Sequence, residues 1–244
     1  MSGLIAFWNI LKKDIRNYYL KPPNISWGII FPLSWTLMQI IRSPGDLDIM
    51  ELLPGLMGMS VLFGTTSMLA VTITFERKGR SFERLLLAPI GLNTLVLAKI
   101  SGAVMFGIFN AFVPLVLASF LTDLSGINWT LVILGVFLVA VSSTLLGLMV
   151  AVSVQEVFEA QTLSNFFRFP MLFLCGLFVP IERLPAILKP LSFCLPLTYG
   201  TDILRASILG SSLMNRYLSI FMMFVFIGIL FYLSRRNINR KWIL

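Results

Sequence analysis

The sequence contains no histidine and only two cysteines, Cys175 and Cys194, which belong to no metal-ligand spacing. This scarcity argues against a metal site, a Cys–His nucleophile and a disulfide framework. Charge is also scarce, since 12% of the 244 residues are charged, whereas soluble domains carry roughly a quarter. Because 57% of the residues are hydrophobic and the mean hydropathy is +0.90, most of the surface is expected to face lipid.

Long apolar runs divide the chain. Five runs lack any charged residue, and each approaches the ~20 residues that a helix needs to cross the hydrocarbon core. A sixth run is interrupted only by Glu159 and Arg168, and we expect Arg168 to lie near the cytoplasmic end and snorkel to the interface. The pattern predicts an all-α integral membrane protein with one domain, 1–244, and six transmembrane helices, at about 24–41, 52–75, 97–121, 129–153, 159–180 and 217–234.

Two other segments are predicted not to span. Within 4–20, apolar residues including Trp8 share one helical face and basic residues including Lys12 share the other. This pattern predicts an interfacial amphipathic helix, the alternative being a surface helix packed on protein. Residues 184–201 are apolar but carry Lys189 and three prolines. We predict an extracellular re-entrant or interfacial hairpin there, before the last helix.

The positive charges orient the chain. With both termini in the cytoplasm, 14 of the 19 lysines and arginines lie inside and five outside, as the positive-inside rule requires. The net charge of +8 therefore reflects topology, and no nucleic-acid partner is expected. The predicted location is the plasma membrane, with the chain crossing the lipid bilayer several times.

The loop after the second predicted span holds the densest charge. Six of the nine residues in 76–84 are charged. Glu76, Arg80 and Arg84 stand at helical spacing, which predicts a short cytoplasmic helix with internal ion pairs. Its exposed residues would form a docking face for a soluble partner. The spacing alone leaves open a solvated loop whose cations merely set topology.

Two motifs carry a family resemblance. Residues 76–89 read ERKGRSFERLLLAP, and residues 180–185 and 195–199 read PIERLP and LPLTY, followed by Asp202 and Arg205. In this order, with an N-terminal amphipathic helix and six spans, they resemble the coupling-helix region and the last extracellular segment of ABC-2 type transporter permeases. The resemblance is greatest to drug-resistance and nodulation-type export permeases. One departure is Arg80-Ser81 after Gly79, where many relatives carry Gly-Thr.

The resemblance implies a transport subunit rather than an enzyme. It would work as a dimer with a second permease copy or a paralogue, together with two copies of an ABC ATPase subunit. The chain has no GxxxxGK[ST] phosphate loop, so no cofactor is expected on it, and ATP and Mg are expected on the partner ATPase.

The coupling interface implied by the resemblance consists of Glu76, Arg77, Gly79, Arg80, Phe82, Glu83 and Arg84. Phe82 is the one large apolar residue among the charges and is expected to fill a pocket on the ATPase. Gly79 is expected to act as a hinge or cap, since glycine reaches positive φ without penalty.

Other polar residues are candidates for transport roles. Gln39 and Asn110 lie inside predicted spans, where an unpaired amide is costly, so they are candidates for helix–helix bonds or for the substrate path. Tyr199, Asp202 and Arg205 are candidates for an external gate, the alternative being a local Asp202–Arg205 ion pair.

The predicted function is ATP-driven export of a hydrophobic or amphipathic compound, with a drug-like molecule, a lipid and a lipid-linked glycan all open as cargo. A gradient-driven secondary carrier usually shows intramembrane charges or inverted repeats, and neither is evident. The lack of histidine and of paired deep carboxylates argues against an intramembrane enzyme. A non-transporting membrane scaffold stays an alternative if no ATPase partner exists.

Overall fold

Helices make up the regular structure of the described chain. The computed structural model describes residues 3–19, 25–42, 48–87, 90–177 and 179–241. The α-helices are α1 (Gly3–Asp14), α2 (Phe31–Arg42), α3 (Ile49–Lys78), α4 (Ser81–Leu87), α5 (Leu92–Ala118), α6 (Trp129–Ser153), α7 (Val157–Leu174), α8 (Leu188–Phe193), α9 (Pro196–Ile208) and α10 (Arg216–Lys241). Short π-helical turns occupy Ile15–Tyr19 and Ser26–Ile30, and a 3-10 turn occupies Ile181–Arg183.

Within the described ranges, four helices are long and apolar enough to cross a membrane: α3, α5, α6 and residues 216–238 of α10. The predicted all-helical membrane fold is confirmed at this level, and the span at 129–153 coincides with α6. The count of six stays a prediction. The apolar helix at 28–38 is shorter, and α7 has 18 residues that include Glu159 and Arg168. Residue 24, where the first predicted span begins, lies outside the described residues.

Helix α3 lies at the centre of the bundle, with 94% of its apolar stretch buried. Small residues allow α6 to approach it closely, as is common between membrane helices. A Cβ added to Gly147 of α6 would lie 2.6 Å from the backbone oxygen of Thr66 of α3. The Thr66 hydroxyl also donates a hydrogen bond to the carbonyl oxygen of Ser143, at 3.2 Å. The Thr66 hydroxyl therefore helps to hold α3 and α6 together.

The ends of several helices meet at one end of the bundle, which we call the basic end. Helices α3 and α6 finish there, and α5 and α7 begin there, beside α1. Contacts from Lys13, Arg77, Lys78 and Lys99 join these helix ends.

The segment predicted as a hairpin forms two helices, α8 and α9, at the opposite end of the bundle. The 13 residues of α9 extend only about 20 Å at 1.5 Å per residue, which is too short for a ~30 Å hydrocarbon core. Most of α9 is buried, and it packs against α3, α6 and α10. The re-entrant geometry relative to a bilayer stays a prediction.

Arg168 corrects one expectation. Its side chain is fully buried, and the guanidinium donates to the backbone oxygens of Phe63 and Ser164, both at 3.3 Å, and to the side-chain oxygen of Asn165. It also lies 4.6 Å from the centroid of the Phe63 ring, a cation–π distance. The snorkelling prediction is therefore wrong, because protein acceptors inside the bundle replace the water that snorkelling would reach.

Candidate functional site

Glu76, in the last turn of α3, lies in a closed ring of alternating charges. Its two carboxylate oxygens lie 2.6 Å from the Nζ atoms of Lys13 and Lys99. Asp14 closes the ring, with its oxygens 3.1 Å from Lys99 and 3.3 Å from Lys13. The Lys13–Glu76 and Lys99–Asp14 contacts have hydrogen-bond geometry, and the other two are ion contacts. The ring joins α1, α3 and α5.

The ring is almost completely removed from solvent. The side chains of Glu76, Asp14 and Lys99 are exposed by 0%, 2% and 2%, and only Lys13 reaches solvent, at 31%. Two acids and two lysines make a neutral group, and ion pairing of this kind is what allows charges to be buried. Glu76 was predicted to be exposed on a docking face. This prediction is wrong, because its carboxylate contacts Lys13 of α1 and Lys99 of α5 inside the bundle.

The amphipathic pattern of α1 places Asp14 in the ring. Ala6, Ile10 and Asp14 follow at intervals of four and lie on its buried face. Burial raises the pKa of Asp14, while Lys99 opposes that rise. Burial alone would lower the pKa of Lys13, but its bonds to Glu76 and Asp14 outweigh burial and raise it. The lysine is therefore held firmly in its charged form, so α1 is tied to the bundle by charge as well as by apolar packing.

The two residues after Glu76 bind two further helix ends. Arg77 donates to the backbone oxygens of Ala151 and Val154, at 3.5 and 3.2 Å, and so contacts carbonyls at the end of α6. Lys78 lies 2.8 Å from the carboxylate of Glu156, the residue that precedes α7. Three consecutive side chains thus join the end of α3 to α1, α5, α6 and the start of α7.

A two-residue turn, Gly79 and Arg80, connects α3 to the short helix α4. Gly79 has φ of −81°, and its N–H bonds to the carbonyl oxygen of Phe75 at 3.0 Å. Arg80 is the residue with positive φ, at +53°. Gly79 is the C-cap residue of α3, as predicted, but the positive φ expected for it lies one residue later, at Arg80. A side chain with a Cβ is strained in this left-handed conformation.

We therefore expect Arg80→Gly to stabilise the protein by about 1 kcal/mol, because glycine removes the Cβ strain of a left-handed residue. Thermal unfolding of the purified protein in detergent measures the change. Arg80→Ala is the matched control, since it removes the same exposed side chain but keeps the Cβ. An equal gain in both variants would assign the effect to the arginine side chain instead of the backbone.

Helix α4 divides its side chains between the core and solvent. Phe82 is 2% exposed and belongs to the hydrophobic core of this chain, so the prediction that it projects into a partner's pocket is wrong. Arg84 is exposed, and Leu87 is 86% exposed. The side chain of Glu83 lies outside the described residues. Leu87 was not among the predicted site residues, although the leucine triplet at 85–87 was a visible signal.

Asn110 is the better described of the two candidate path residues. Its side chain is fully buried in α5, and neither atom of its amide has a hydrogen-bond partner among the described residues. It packs against Gly28 and Gly64, where an added Cβ would collide with the amide nitrogen. Gln39 lies in α2, and its side chain is outside the described residues.

The candidate gate residues Tyr199 and Asp202 lie in α9 and bond to α8, to α10 and to the segment between α9 and α10. The buried Asp202 accepts hydrogen bonds from the Leu213 N–H at 2.7 Å and the Ser219 hydroxyl at 2.6 Å. Tyr199 donates to the carbonyl oxygen of Phe193 at 2.8 Å. Arg205 lines a cavity of about 30 Å³ with Asp202, yet the ion pairs of the described chain do not include Asp202–Arg205. The local ion-pair alternative is therefore wrong, and a gate role stays a prediction.

The family model for the ABC-2 type transporter matches residues 5–209, which include the charge ring and α4. The chain belongs to the ABC-2 type transporter family. It is similar to the inner membrane transport permease YadH of Escherichia coli K12, with 25% identity over 214 residues and 84% of each chain covered. The protein of the same name in Shigella flexneri matches equally. Nodulation protein J of Rhizobium leguminosarum is 32% identical over 72 residues, which are 30% of this chain and 28% of that protein.

Membership confirms the resemblance to ABC-2 permeases. This chain is an ABC-2 transporter permease, a multi-pass membrane transport protein. Permeases of this family generally work with an ATPase partner.

Proposed function

We propose that the chain is the permease subunit of an ATP-driven ABC exporter that moves a hydrophobic or amphipathic substrate out of the cytoplasm or the inner leaflet. Family membership and the printed names of the relatives support a transport permease. The observation that carries the proposal is the attachment of α4, through the last turn of α3, to the other helices of the basic end. Drug-like molecules, lipids and lipid-linked glycans are the cargo classes.

The proposed assembly has two permease subunits, either two copies of this chain or this chain and a paralogue, with two ATPase subunits that bind ATP and Mg. The proposed location is the plasma membrane, with six spans and both termini in the cytoplasm. Clustering of lysine and arginine at the basic end supports this orientation. In this arrangement α1 lies in the inner interface and α4 faces the ATPase.

Motion of α4 would reach the spans through short, charged connections. Only Gly79 and Arg80 separate α4 from α3, so α4 cannot shift far without moving the last turn of α3. Glu76 would then pull on α1 and α5, and Arg77 on the end of α6. Because the ring is buried and its contacts are 2.6–3.3 Å long, it would transmit displacement rather than absorb it as screened surface pairs do.

Leu87 is the proposed apolar contact with the ATPase. It is the most exposed large hydrophobic side chain among the described residues, at 86%, and it ends the helix that we propose docks. Interfaces usually gain most from a few apolar or aromatic anchors that fill pockets. The exposed Arg84 would lie at the rim, where a charge pair contributes only about 0–1 kcal/mol.

We expect Leu87→Ala to weaken binding of the permease to its purified ATPase about tenfold, because two methyl groups and the branching carbon, at about 0.8 kcal/mol for each fully buried carbon, would be lost from the interface. Affinity and ATP hydrolysis are measured with both proteins in lipid nanodiscs. Hydrolysis by the ATPase alone should not change, and the permease should unfold at the wild-type temperature, since Leu87 lies outside the core.

The matched control is Ile187→Ala, which removes a similar side chain that is 85% exposed at the opposite end of the bundle. It should leave ATPase binding unchanged. Wild-type affinity and stimulated hydrolysis in the Leu87 variant would contradict docking through the tip of α4. Equal losses in both variants would contradict it as well.

A further inference from the structure

Helix α10 turns one defined face away from the bundle. Near its end, the Ser234 hydroxyl bonds to the backbone oxygen of Leu145 at 3.4 Å, and Ile238 is 5% exposed. These two residues, four positions apart, mark the inward face. Only 22% of the apolar stretch of α10 is buried, the smallest share among the four long apolar helices of the described chain. The opposite face of α10 is therefore open along most of the helix.

That outward face changes from apolar to basic within one helical turn. Its apolar part consists of exposed residues spaced three or four apart: Leu218, Phe221, Val225, Ile229 and Tyr232. The same helical line continues with Arg236 and Arg240, and Arg235 lies beside it, all three exposed. Tyr232 and the three arginines surround one open recess. Tyrosine is typical of the level of lipid headgroups.

The three arginines have no acidic partner among the described residues. The last acidic residue in the sequence is Asp202, so α10 carries none. Within the part of the chain that the structure describes, Arg235, Arg236 and Arg240 take part in no ion pair. Glu156, which follows α6 at the same end of the bundle, pairs with Lys78 instead. The basic surface therefore keeps its full positive charge for a ligand.

We propose that Arg235, Arg236 and Arg240 bind the headgroup of an anionic phospholipid whose acyl chains lie along the outward face of α10. Guanidinium groups bind phosphate through paired, charge-assisted hydrogen bonds. From Val225 to Arg236 the helix rises about 16 Å at 1.5 Å per residue, which matches one leaflet of a hydrocarbon core about 30 Å thick. The location in the inner leaflet rests on the proposed orientation, whereas binding itself does not.

The test compares spin-labelled phosphatidylglycerol with spin-labelled phosphatidylcholine on the purified, full-length chain in phosphatidylcholine vesicles, without any ATPase. The wild type should prefer the anionic lipid, and high salt should reduce the preference. In R235Q/R236Q/R240Q the preference should fall at least about fivefold, the factor that one cation near an anionic surface contributes. The single variant Arg236→Gln should lower the preference for the anionic lipid by a smaller factor. It tests the site even if the triple variant does not fold.

The matched control is R183Q/K189Q/R216Q, which removes three positive charges at the opposite end of the bundle and should keep the preference. If both triple variants lose the lipid preference equally, the preference depends on net charge alone, and the proposed site is overturned. An unchanged preference in R235Q/R236Q/R240Q would overturn it too. So would complete displacement of the labelled lipid by soluble glycerol phosphate, because the site is proposed to bind acyl chains as well.

Discussion

Lys99→Met is expected to destabilise the permease by about 3–5 kcal/mol, the usual cost of removing one partner from a buried ion pair. Lys99 is 2% exposed and contacts both Asp14 and Glu76. Methionine fills a similar volume, so the loss of stability reflects the missing charge more than missing packing contacts. Two buried carboxylates would then share Lys13 alone, and the ring would carry a net negative charge. Thermal or denaturant unfolding of the purified protein in detergent measures the effect.

Lys78→Met is the matched control, because its pair with Glu156 is 63% and 57% exposed and should contribute at most about 1 kcal/mol. The double variant K99M/E76Q restores a neutral group by leaving Lys13 with Asp14, and it should recover part of the lost stability. If Lys99→Met and Lys78→Met cost the same, the ring is not a buried electrostatic unit. Failure of the double variant to recover any stability would argue that Lys99 acts through packing.

Gly147→Ala is expected to cost about 3 kcal/mol, near the upper end of what overpacking usually costs. The added Cβ would lie 2.6 Å from the backbone oxygen of Thr66 and 3.1 Å from its Cα. A flexible side chain could rotate away, whereas these backbone atoms move only if α3 and α6 separate. Separation would also break the Thr66–Ser143 hydrogen bond. Both unfolding and transport should be impaired, since α3 carries the ring and α4.

Gly228→Ala makes the same chemical change in α10, where an added Cβ meets no atom within 4 Å. This variant should be neutral or more stable by about 0.5–1 kcal/mol, since alanine favours a helix over glycine. Comparable losses at both positions would show that loss of a glycine itself, and not the α3–α6 contact, destabilises the fold.

The helices were largely predictable because the membrane-spanning helices of a protein appear in its sequence as long uncharged runs. The predicted span at 129–153 coincides with α6, and the predicted spans at 52–75 and 97–121 overlap α3 and α5. The periodicity within 4–20 likewise predicted a helix, and α1 occupies Gly3–Asp14. Its buried face consists of Ala6, Ile10, Leu11 and Asp14, however, whereas Trp8 of the predicted apolar face is exposed. Local composition was therefore sufficient for the helices but not for which face is buried.

The charge ring was not predictable in the same way. Asp14, Glu76 and Lys99 lie far apart in the sequence, and each looks like an ordinary interfacial charge. Only the packing of α1 on α3 and α5 places the carboxylates of Asp14 and Glu76 within 3.1 Å of the Lys99 ammonium group. Spacing along one helix suggested instead that Glu76 would pair with Arg80. It does not, because the helix ends at Lys78 and Arg80 turns into a left-handed conformation.

The sequence by itself determined the membrane class, the position of the long apolar helices, the basic end and the ABC-2 resemblance, since all of these follow from local composition and short motifs. The tertiary structure alone decided which individual side chains face inward. Phe82 was expected outside and is buried, Leu87 was overlooked and is exposed, and Arg168 is enclosed by protein acceptors. The physical reason is that burial depends on which neighbouring helix covers a residue, and helix packing brings together residues that no local pattern connects.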